Sequence, residues 1–384
     1  MNNVFAPARK AGTTNQPWVA TLGVGKTIFD YYDSQGDKTL SADTVVPSLL
    51  DGPMVVRRYN NLTLNASTGN VTLTTQNRCR GLMLLIDGNL TLQRSGSYAA
   101  SISMTARGAR GHAGMGLYDM LIPDSIVLQG QGFPRTEVLK KLRTEGWAIC
   151  DRWLWDEWGK IAGVKATAWT GGTVLLSASG CGAGAPGAGV TGTGSVAAVT
   201  GIAGVNGAPG GGGKGYIQAN AGVCIIGRSG AARPWGGGAG TAGIHSGIGG
   251  VVPDADDYGG PGSSATGNAG GGGGAGNPGG YPIPAGVAGG DGTGGVLIIV
   301  CKGNIIVNAG CIIQSDGMSG GNATGGSGGG GSGGGHVSVI YGGTHTNNGT
   351  GRANGGAGGT GMYAGGSGGA GSVVTKTFAQ MGWA

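Results

Sequence analysis

Side chains able to take part in chemistry are sparse in the second half of the sequence, where they cluster in short turns between glycine runs. Aromatic and arginine side chains are the usual anchors of binding interfaces. We therefore expect a binding surface built from these turns. Its predicted contact residues are Arg233, Trp235, Asp254, Asp256, Asp257, Tyr258, Tyr281, Met362 and Tyr363. The alternative, that these bulky residues only cap the glycine runs, is equally compatible with the sequence.

The acidic turn within this set is not expected to bind a metal. Asp254, Asp256 and Asp257 offer oxygen ligands of the kind that Ca²⁺ prefers, but their spacing differs from that of an EF-hand loop. A solvated loop is the favoured interpretation. The four histidines are scattered along the chain and form no motif with these acids. We expect no metal and no cofactor.

No catalytic motif stands out either. Gly-x-Gly-x-x-Gly patterns arise by chance in so much glycine and lack the strand–loop–helix context of a nucleotide site. Residues 23–27 end like a phosphate-binding loop but lack its first glycine at the required position. We expect a protein that is not an enzyme. A depolymerase of surface polysaccharide, which would need two carboxylates across a groove, is the less favoured alternative.

Composition divides the chain into two parts. Glycine accounts for 93 of the 384 residues, most of them after residue 170, and charged residues for only 11%. The net charge is +6, but the basic residues are not clustered, so a nucleic-acid partner is not expected. The sequence shows neither a secretory signal nor an apolar run long enough to span a membrane. The six cysteines lack metal-binding spacing and are expected to be buried thiols.

The first half predicts β-strands. Residues 62–64, 71–74 and 90–92 alternate apolar and polar side chains with a period of two. A Gly-Asn pair followed by three strand-forming residues occurs at residues 69–73, 88–92 and 303–307. A spacing near 20 residues with such a turn indicates stacked β rungs, as in a solenoid or a fibre. The predicted fold class is thus mainly β, with a solenoid-like or fibre-like N-terminal part.

One segment, residues 134–170, predicts a helix that interrupts this pattern. Pro134 and Thr136 mark its start, and apolar residues follow at helical spacing. It is rich in tryptophan, which could form a platform for sugar rings. A core of large side chains is the favoured interpretation, since aromatic residues dominate protein cores.

Glycine runs separated by short strands characterise the second half. A flexible linker would not carry apolar strands at intervals, such as residues 296–300 and 336–341. Extended glycine can form a threefold helix like polyproline II, and neighbouring helices can then supply its backbone hydrogen bonds. We expect a polyglycine-II-like C-terminal domain. A disordered tail is the alternative, and a collagen triple helix is not expected because the Gly-X-Y period is broken and prolines are few.

These patterns predict four regions. Residues 1–50 form an N-terminal attachment segment, with packing on the next domain as an equally compatible role. Residues 51–133 form a β-strand domain, 134–170 the tryptophan-rich helical insertion and 171–384 the glycine-rich domain with short strands.

The glycine-rich half resembles the distal adhesins of T-even-like phage long tail fibres. The resemblance rests on the runs at residues 210–213, 270–274 and 328–331, and it is one of composition over about the last 200 residues. It implies an N-terminal region that attaches to other phage tail or fibre proteins. It also implies a C-terminal domain of layered polyglycine II helices, whose tip loops bind an outer-surface protein or polysaccharide of the host.

The resemblance further implies a virion protein of the tail or tail fibre, assembled in the host cytoplasm. Host attachment is the leading functional hypothesis. A purely structural virion component, such as a baseplate part or a fibre connector, is the second. A homotrimer and a single copy that caps a fibre both remain open.

Overall fold

The computed structural model describes residues 29, 32–48, 50, 54–109, 188–191, 193–205, 209–219, 223–226, 232, 236–237, 240–241, 243–246, 250–252 and 293–381. Within these residues the protein is mainly β, as the alternating patterns predicted. The predicted helical insertion, residues 134–170, lies outside the described residues, as do most of residues 1–50.

The first two strands are short, and several of those that follow residue 60 alternate buried with partly exposed residues. They are β1 (Lys38–Leu40), β2 (Thr44–Val46), β3 (Val55–Tyr59), β4 (Leu62–Ala66), β5 (Val71–Thr75), β6 (Leu82–Ile86), β7 (Leu90–Ser95) and β8 (Tyr98–Ser103). Strands β4 and β5 coincide with the predicted ones and bury every second side chain. In β6 both faces are buried.

The described residues in the middle of the chain contribute six strands to two small sheets. They are β9 (Ala188–Thr191), β10 (Gly194–Val196), β11 (Ile217–Ala219), β12 (Val223–Ile226), β13 (Ile244–Ser246) and β14 (Gly250–Val252). One sheet has the order β10-β11-β13 and the other β14-β12-β9.

The last strands are β15 (Val296–Cys301), β16 (Ile305–Val307), β17 (Ile312–Gln314), β18 (His336–Tyr341), β19 (His345–Asn347), β20 (Thr350–Arg352) and β21 (Ser372–Thr377). A 3-10 helix, Ala379–Met381, follows β21.

The large sheets arise because strands repeat in threes along the chain, and each pairs in parallel with its counterpart in the next turn. The first stack has the order β3-β6-β15-β18-β21. The second contains β1, β4, β7, β16 and β19, and the third β2, β5, β8, β17 and β20. A short antiparallel pairing of β7 with β8 joins the second and third stacks. The chain thus winds in turns of three strands.

The register gives the length of a turn. Asn61 of one turn contacts Asn89 of the next, 28 residues later, and Thr72 contacts Ser101, 29 residues later. The predicted spacing near 20 residues was therefore too short. That prediction used the separation of Gly69-Asn70 from Gly88-Asn89, but these two pairs precede strands of different stacks, β5 and β7.

The inner faces of the three stacks form one core. Leucine, isoleucine and valine fill it in layers, one layer per turn, as in Leu62, Leu90 and Ile305 of the second stack. Each such side chain contributes about 1.5–3 kcal/mol through removal from water. Strands before residue 104 and after residue 295 share this core, so sequence-distant parts of the chain form one body.

The glycine segments leave this coil of strands at one corner, where a third-stack strand leads to the next first-stack strand. Residues 315–335 connect β17 to β18, and residues 353–371 connect β20 to β21. The pairing of the strands continues as backbone hydrogen bonds between these two glycine segments. The N–H groups of Gly317, Gly320 and Ala323 donate to the carbonyl groups of Asn354, Ala357 and Thr360 at 2.7–2.9 Å.

Residues 326–335, here called the central segment, are completely buried although they consist almost only of glycine. The N–H groups of Gly328, Gly331 and Gly334 donate to Tyr363, Gly366 and Gly369 in one neighbouring segment. Those of Gly329, Ser332 and Gly335 donate to Gly321, Met318 and Ser315 in another. The direction of the N–H groups thus repeats every three residues, and backbone hydrogen bonds replace side-chain packing.

Glycine is required there because the backbones touch. A Cβ atom on Gly331 would collide with the carbonyl oxygen of Gly356, and one on Gly333 with that of Gly210. Because these obstacles are backbone atoms on packed neighbours, no rotamer change relieves them.

Candidate functional site

Two of the nine predicted contact residues lie in the described part of the chain. These are Met362 and Tyr363, at the turn between the glycine segments 353–361 and 363–371. The other seven, Arg233, Trp235, Asp254, Asp256, Asp257, Tyr258 and Tyr281, lie outside the described residues.

The turn is fixed by backbone hydrogen bonds to the central segment. Met362 donates its N–H to the carbonyl of Gly326 at 2.9 Å, and the carbonyl of Tyr363 accepts from Gly328 at 2.7 Å. The Met362 side chain is 65% exposed, the highest exposure among the large apolar side chains reported for the described residues. A rigid backbone therefore presents a flexible apolar side chain to solvent.

Tyr216 adds a second aromatic ring to this turn. The rings of Tyr216 and Tyr363 are stacked with centroids 4.3 Å apart and planes 5° apart, and both side chains are partly exposed. We call Tyr216, Met362 and Tyr363 the tip. The sequence prediction missed Tyr216, although it follows the glycine run 210–213 in the same way that other bulky residues follow theirs.

The tip carries little charge. Lys214, two residues before Tyr216, is buried, and burial lowers the pKa of its ammonium group. Its backbone lies inside the glycine layers, since its N–H donates to Val199 and its carbonyl accepts from Gly366. The exposed surface of the tip is therefore aromatic and aliphatic.

A ladder of polar side chains holds the corner between the first and second stacks. The Oδ1 atom of Asn61 accepts the N–H of Asn89, that of Asn89 accepts Asn304, and that of Asn304 accepts Thr344, each at 2.8 Å. Asp37 begins the ladder by accepting the N–H of Asn61 at 3.1 Å. These side chains stack one turn on the next.

The ladder explains the Gly-Asn pairs at residues 88–89 and 303–304. A Cβ atom on Gly88 would collide with Oδ1 of Asn61, and one on Gly343 with Oδ1 of Asn304. The glycines before Asn89 and Thr344 are therefore needed to admit the side chain of the previous turn, whereas Asn61 follows Asn60. Gly36, which precedes Asp37 in the first described turn, has nothing within 4 Å of such an atom.

An ion-pair cluster lies beside this ladder. Oδ2 of Asp87 is 2.7 Å from Nε of Arg58, and Oδ1 is 2.6 Å from Nζ of Lys302. Arg58 also donates to the carbonyls of Phe29 and Tyr32, and Nζ of Lys302 lies 4.1 Å from the centroid of the Phe29 ring. Burial alone would raise the pKa of Asp87, but its hydrogen bonds and the two cations outweigh it and lower the pKa. The cluster ties Phe29 to three successive turns.

The carboxylates with described contacts serve structural roles of this kind. Asp43 accepts the N–H of Thr72 at 2.7 Å, and Asp316 accepts that of Asn354 at 2.8 Å. Nε of Arg352 lies 2.7 Å from Oδ2 of Asp316. With Asp37 and Asp87, these acids stabilise the corners of the coil.

The nucleophilic and basic side chains of the core are shielded from solvent. Burial raises the pKa of Cys301 to about 12, so its thiol stays protonated near neutral pH. Burial lowers the pKa of His336 to about 3, and its Nε2 hydrogen-bonds Ser338. Cys79 and Cys311 are buried thiols as well, as was predicted for the cysteines.

The described residues contain no group of three or more His, Cys, Asp and Glu side chains arranged to hold a metal ion. A helix long and apolar enough to cross a membrane is also absent from the described ranges.

Comparison with known proteins gave no further assignment: no family model, no curated protein and no solved structure matches the chain.

Proposed function

We propose that the protein is a phage tail-fibre or tail-tip protein that attaches to the host cell surface through the tip of a rigid glycine-rich scaffold. The proposal includes a fold, a β-solenoid that carries a polyglycine-II-like domain at one corner. Two observations support that fold. Turns of three strands stack in parallel, offset by 28 or 29 residues between residues 61 and 101, and N–H directions in the central segment repeat every three residues, as a threefold helix requires.

A scaffold of this kind suits an adhesin because it holds its end rigid without large side chains. Each glycine segment loses much backbone entropy on folding, and its hydrogen bonds and close packing must compensate. Once the segment has folded, those hydrogen bonds fix the position of the turn at its end. A binding partner then meets a preorganised surface, which reduces the entropy cost of association.

The observation that carries the functional proposal is the tip itself. Met362 is well exposed and the stacked Tyr216 and Tyr363 rings are partly exposed, at the end of the glycine segments and without a charged group among them. Tyrosine is enriched at binding hot spots, and methionine adapts its shape to a partner. The remaining outward faces of the segments that form the tip carry mostly serine, threonine, asparagine and alanine.

Binding of the labelled full-length protein to a panel of bacterial strains tests this function. We expect saturable binding to at least one strain, and a loss of at least tenfold in affinity for Met362→Ser and for Tyr363→Ser. Val373→Ser is the matched control, because Val373 is exposed on β21, away from the tip. Circular dichroism would establish that each variant is folded.

A second function is favoured by the ends of the coil. Among the described strands, β19, β20 and β21 are each the last of their stack, so each pairs along one edge only. Open strand edges accept further strands, which fits a structural virion component stacked on another subunit. If the folded wild-type protein binds none of the strains, and Met362→Ser leaves that result unchanged, the structural function replaces the adhesin function.

A further inference from the structure

Two Asn-Gly pairs lie at the surface of the described residues, and the hydrogen bonding of their glycines differs. The pairs begin at Asn348 and Asn354, whose side chains are both exposed. Gly349 donates its N–H to Oδ1 of Asn347 at 3.1 Å. The N–H of Gly355 donates to no acceptor among the described residues. The third Asn-Gly pair of the sequence, residues 206–207, lies outside the described residues.

The neighbouring glycine segment explains why the N–H of Gly355 has no acceptor. Residues 353–359 and 365–371 run in opposite directions, since the N–H groups of three glycines in the second segment donate to carbonyls of the first: Gly365 to Gly359, Gly368 to Gly356 and Gly371 to Ala353. Between these bonds, Gly358 donates its N–H to Oγ of Ser367 at 3.4 Å. Three residues earlier the same geometry places Gly355 opposite Ala370, which has no hydroxyl group to accept its N–H.

An asparagine followed by glycine can lose its side-chain amide without an enzyme, and such asparagines are thermolabile. The backbone nitrogen of the glycine gives its proton to water and attacks Cγ of the asparagine. A C–N bond forms, ammonia leaves, and a five-membered succinimide results. Water then opens the ring at either of its two carbonyls and leaves aspartate or isoaspartate. The overall change consumes one water, releases one ammonia, and oxidises or reduces nothing.

We propose that Asn354 is a site of spontaneous deamidation, and that the hydrogen bond to Asn347 protects Asn348 from the same reaction. The bond from Gly349 must break before its nitrogen can turn toward Cγ of Asn348, which adds to the barrier. Gly355 has no such bond to break. The exposed Asn354 side chain makes no hydrogen bond within the described residues either, so it is free to rotate toward the nitrogen.

Deamidation at this position disturbs the junction between the coil and the glycine segments. Oδ1 of Asp316 accepts the N–H of Asn354 at 2.8 Å, so a new carboxylate forms close to an existing one. Isoaspartate also routes the main chain through the former side chain and lengthens it by one atom. The carbonyl of Asn354 accepts the N–H of Gly317, and the longer chain shifts that register. The reaction therefore acts as a slow, irreversible timer on the segment that leads to Met362.

Peptide mapping by mass spectrometry of the full-length protein, sampled during incubation at mildly alkaline pH, tests the proposal. Asn354 should convert to aspartate and isoaspartate roughly fivefold faster than Asn348, the factor that one net hydrogen bond supplies. Ala370→Ser gives the N–H of Gly355 a hydroxyl acceptor, as Ser367 does for Gly358, and should slow conversion of Asn354 by a similar factor. Asn347→Ala removes the protecting acceptor and should accelerate conversion of Asn348.

The two variants are controls for each other, because each should change the rate at one site and leave the other site unchanged. Incubation in concentrated urea removes both the fold and the protecting bond, so the two rates should converge there. Equal rates at the two sites of the folded protein would overturn the proposal. It would also fail if Ala370→Ser and Asn347→Ala left both rates unchanged, or if the difference between the sites persisted in urea, since the local sequence would then set the rates.

Discussion

The coil core and the central glycine segment are equally buried but are stabilised in opposite ways. Around Leu84 in the core, leucine and isoleucine side chains from successive turns fill the space between the stacks. Around Gly331 in the central segment, backbone atoms of neighbouring segments fill it, and hydrogen bonds run between them at about 2.8 Å. One region depends on side chains being present, and the other on their being absent.

The comparison shows that complete burial does not fix how a site responds to substitution. In the core, removal of atoms leaves a cavity. In the central segment, an added methyl group collides with neighbouring backbone atoms, and no change of rotamer relieves that collision. Substitutions that remove volume should therefore destabilise the core, and substitutions that add volume should destabilise the central segment.

Removal of volume should have its largest effect in the core. Leu84→Ala is expected to lower the free energy of unfolding by about 2–5 kcal/mol, because the cavity adds to the lost burial. Leu84→Met, which roughly conserves volume, should cost less than about 1.5 kcal/mol. Chemical denaturation of the three proteins measures both values. An equal loss for the alanine and methionine variants would mean that packing does not govern this site.

Addition of volume should have its largest effect in the central segment. Gly331→Ala is expected to cost about 3 kcal/mol, at the upper end of overpacking penalties. Gly69→Ala is the matched control, because an added Cβ there meets nothing within 4 Å. It should be neutral or slightly stabilising. If Gly331→Ala unfolds at the same denaturant concentration as wild type, backbone contact is not what requires glycine.

Lowering the pH should destabilise the folded protein through His336 of strand β18. Its pKa is about 3 in the folded protein because it is buried, below the ordinary 6.5 of an unfolded chain. The unfolded state therefore binds more protons below pH 6.5, and stability falls as the pH is lowered from 6.5 toward 3. Between pH 7 and pH 5 the loss should be about 2 kcal/mol.

His336→Gln separates this effect from other titrations. The pKa of Asp87 is lowered below 3.8, so its contribution is lost only at more acidic pH. Denaturation at pH 7 and pH 5 should show a smaller loss for the glutamine variant than for wild type. Equal losses would assign the acid sensitivity to another group.

The corner ladder gives the smallest expected effect, since its members are near the surface. Asn89→Ala removes the acceptor for the N–H of Asn304 and should cost about 1 kcal/mol. Asn348→Ala, at an exposed turn position, should cost nearly nothing. A difference below the error of thermal or chemical unfolding would show that the ladder is not a source of stability.

The sequence allowed the β class, several strands and stacked rungs to be predicted, because alternation in residues 62–64, 71–74 and 90–92 is a local signal. The length of a turn was not recognised. Asn-Leu-Thr at residues 61–63 recurs at 89–91, and this spacing of 28 is the offset at which β4 pairs with β7. The Gly-Asn pair at residues 69–70 concealed it, because it makes a similar ladder bond at a different corner.

Within the candidate site, the exposure of Met362 was predictable, because closely packed glycine segments leave no space between them for a bulky side chain. The stacking of Tyr216 on Tyr363 was not, since it depends on which glycine segments become neighbours. That choice is made by backbone hydrogen bonds between residues far apart in sequence. Glycine runs carry no side-chain pattern from which to infer it.

Hydrogen exchange of backbone amides tests whether backbone hydrogen bonds hold the central segment as firmly as side-chain packing holds the core. Nuclear magnetic resonance on the full-length protein would compare Gly331, Ser332 and Gly334 with the amides of β15 (Val296–Cys301). If backbone hydrogen bonds hold the central segment, its amides should exchange within about tenfold of the strand amides, because both open only on large-scale unfolding. Exchange of the glycine amides at the rate of an unfolded chain, with β15 still protected, would contradict the account.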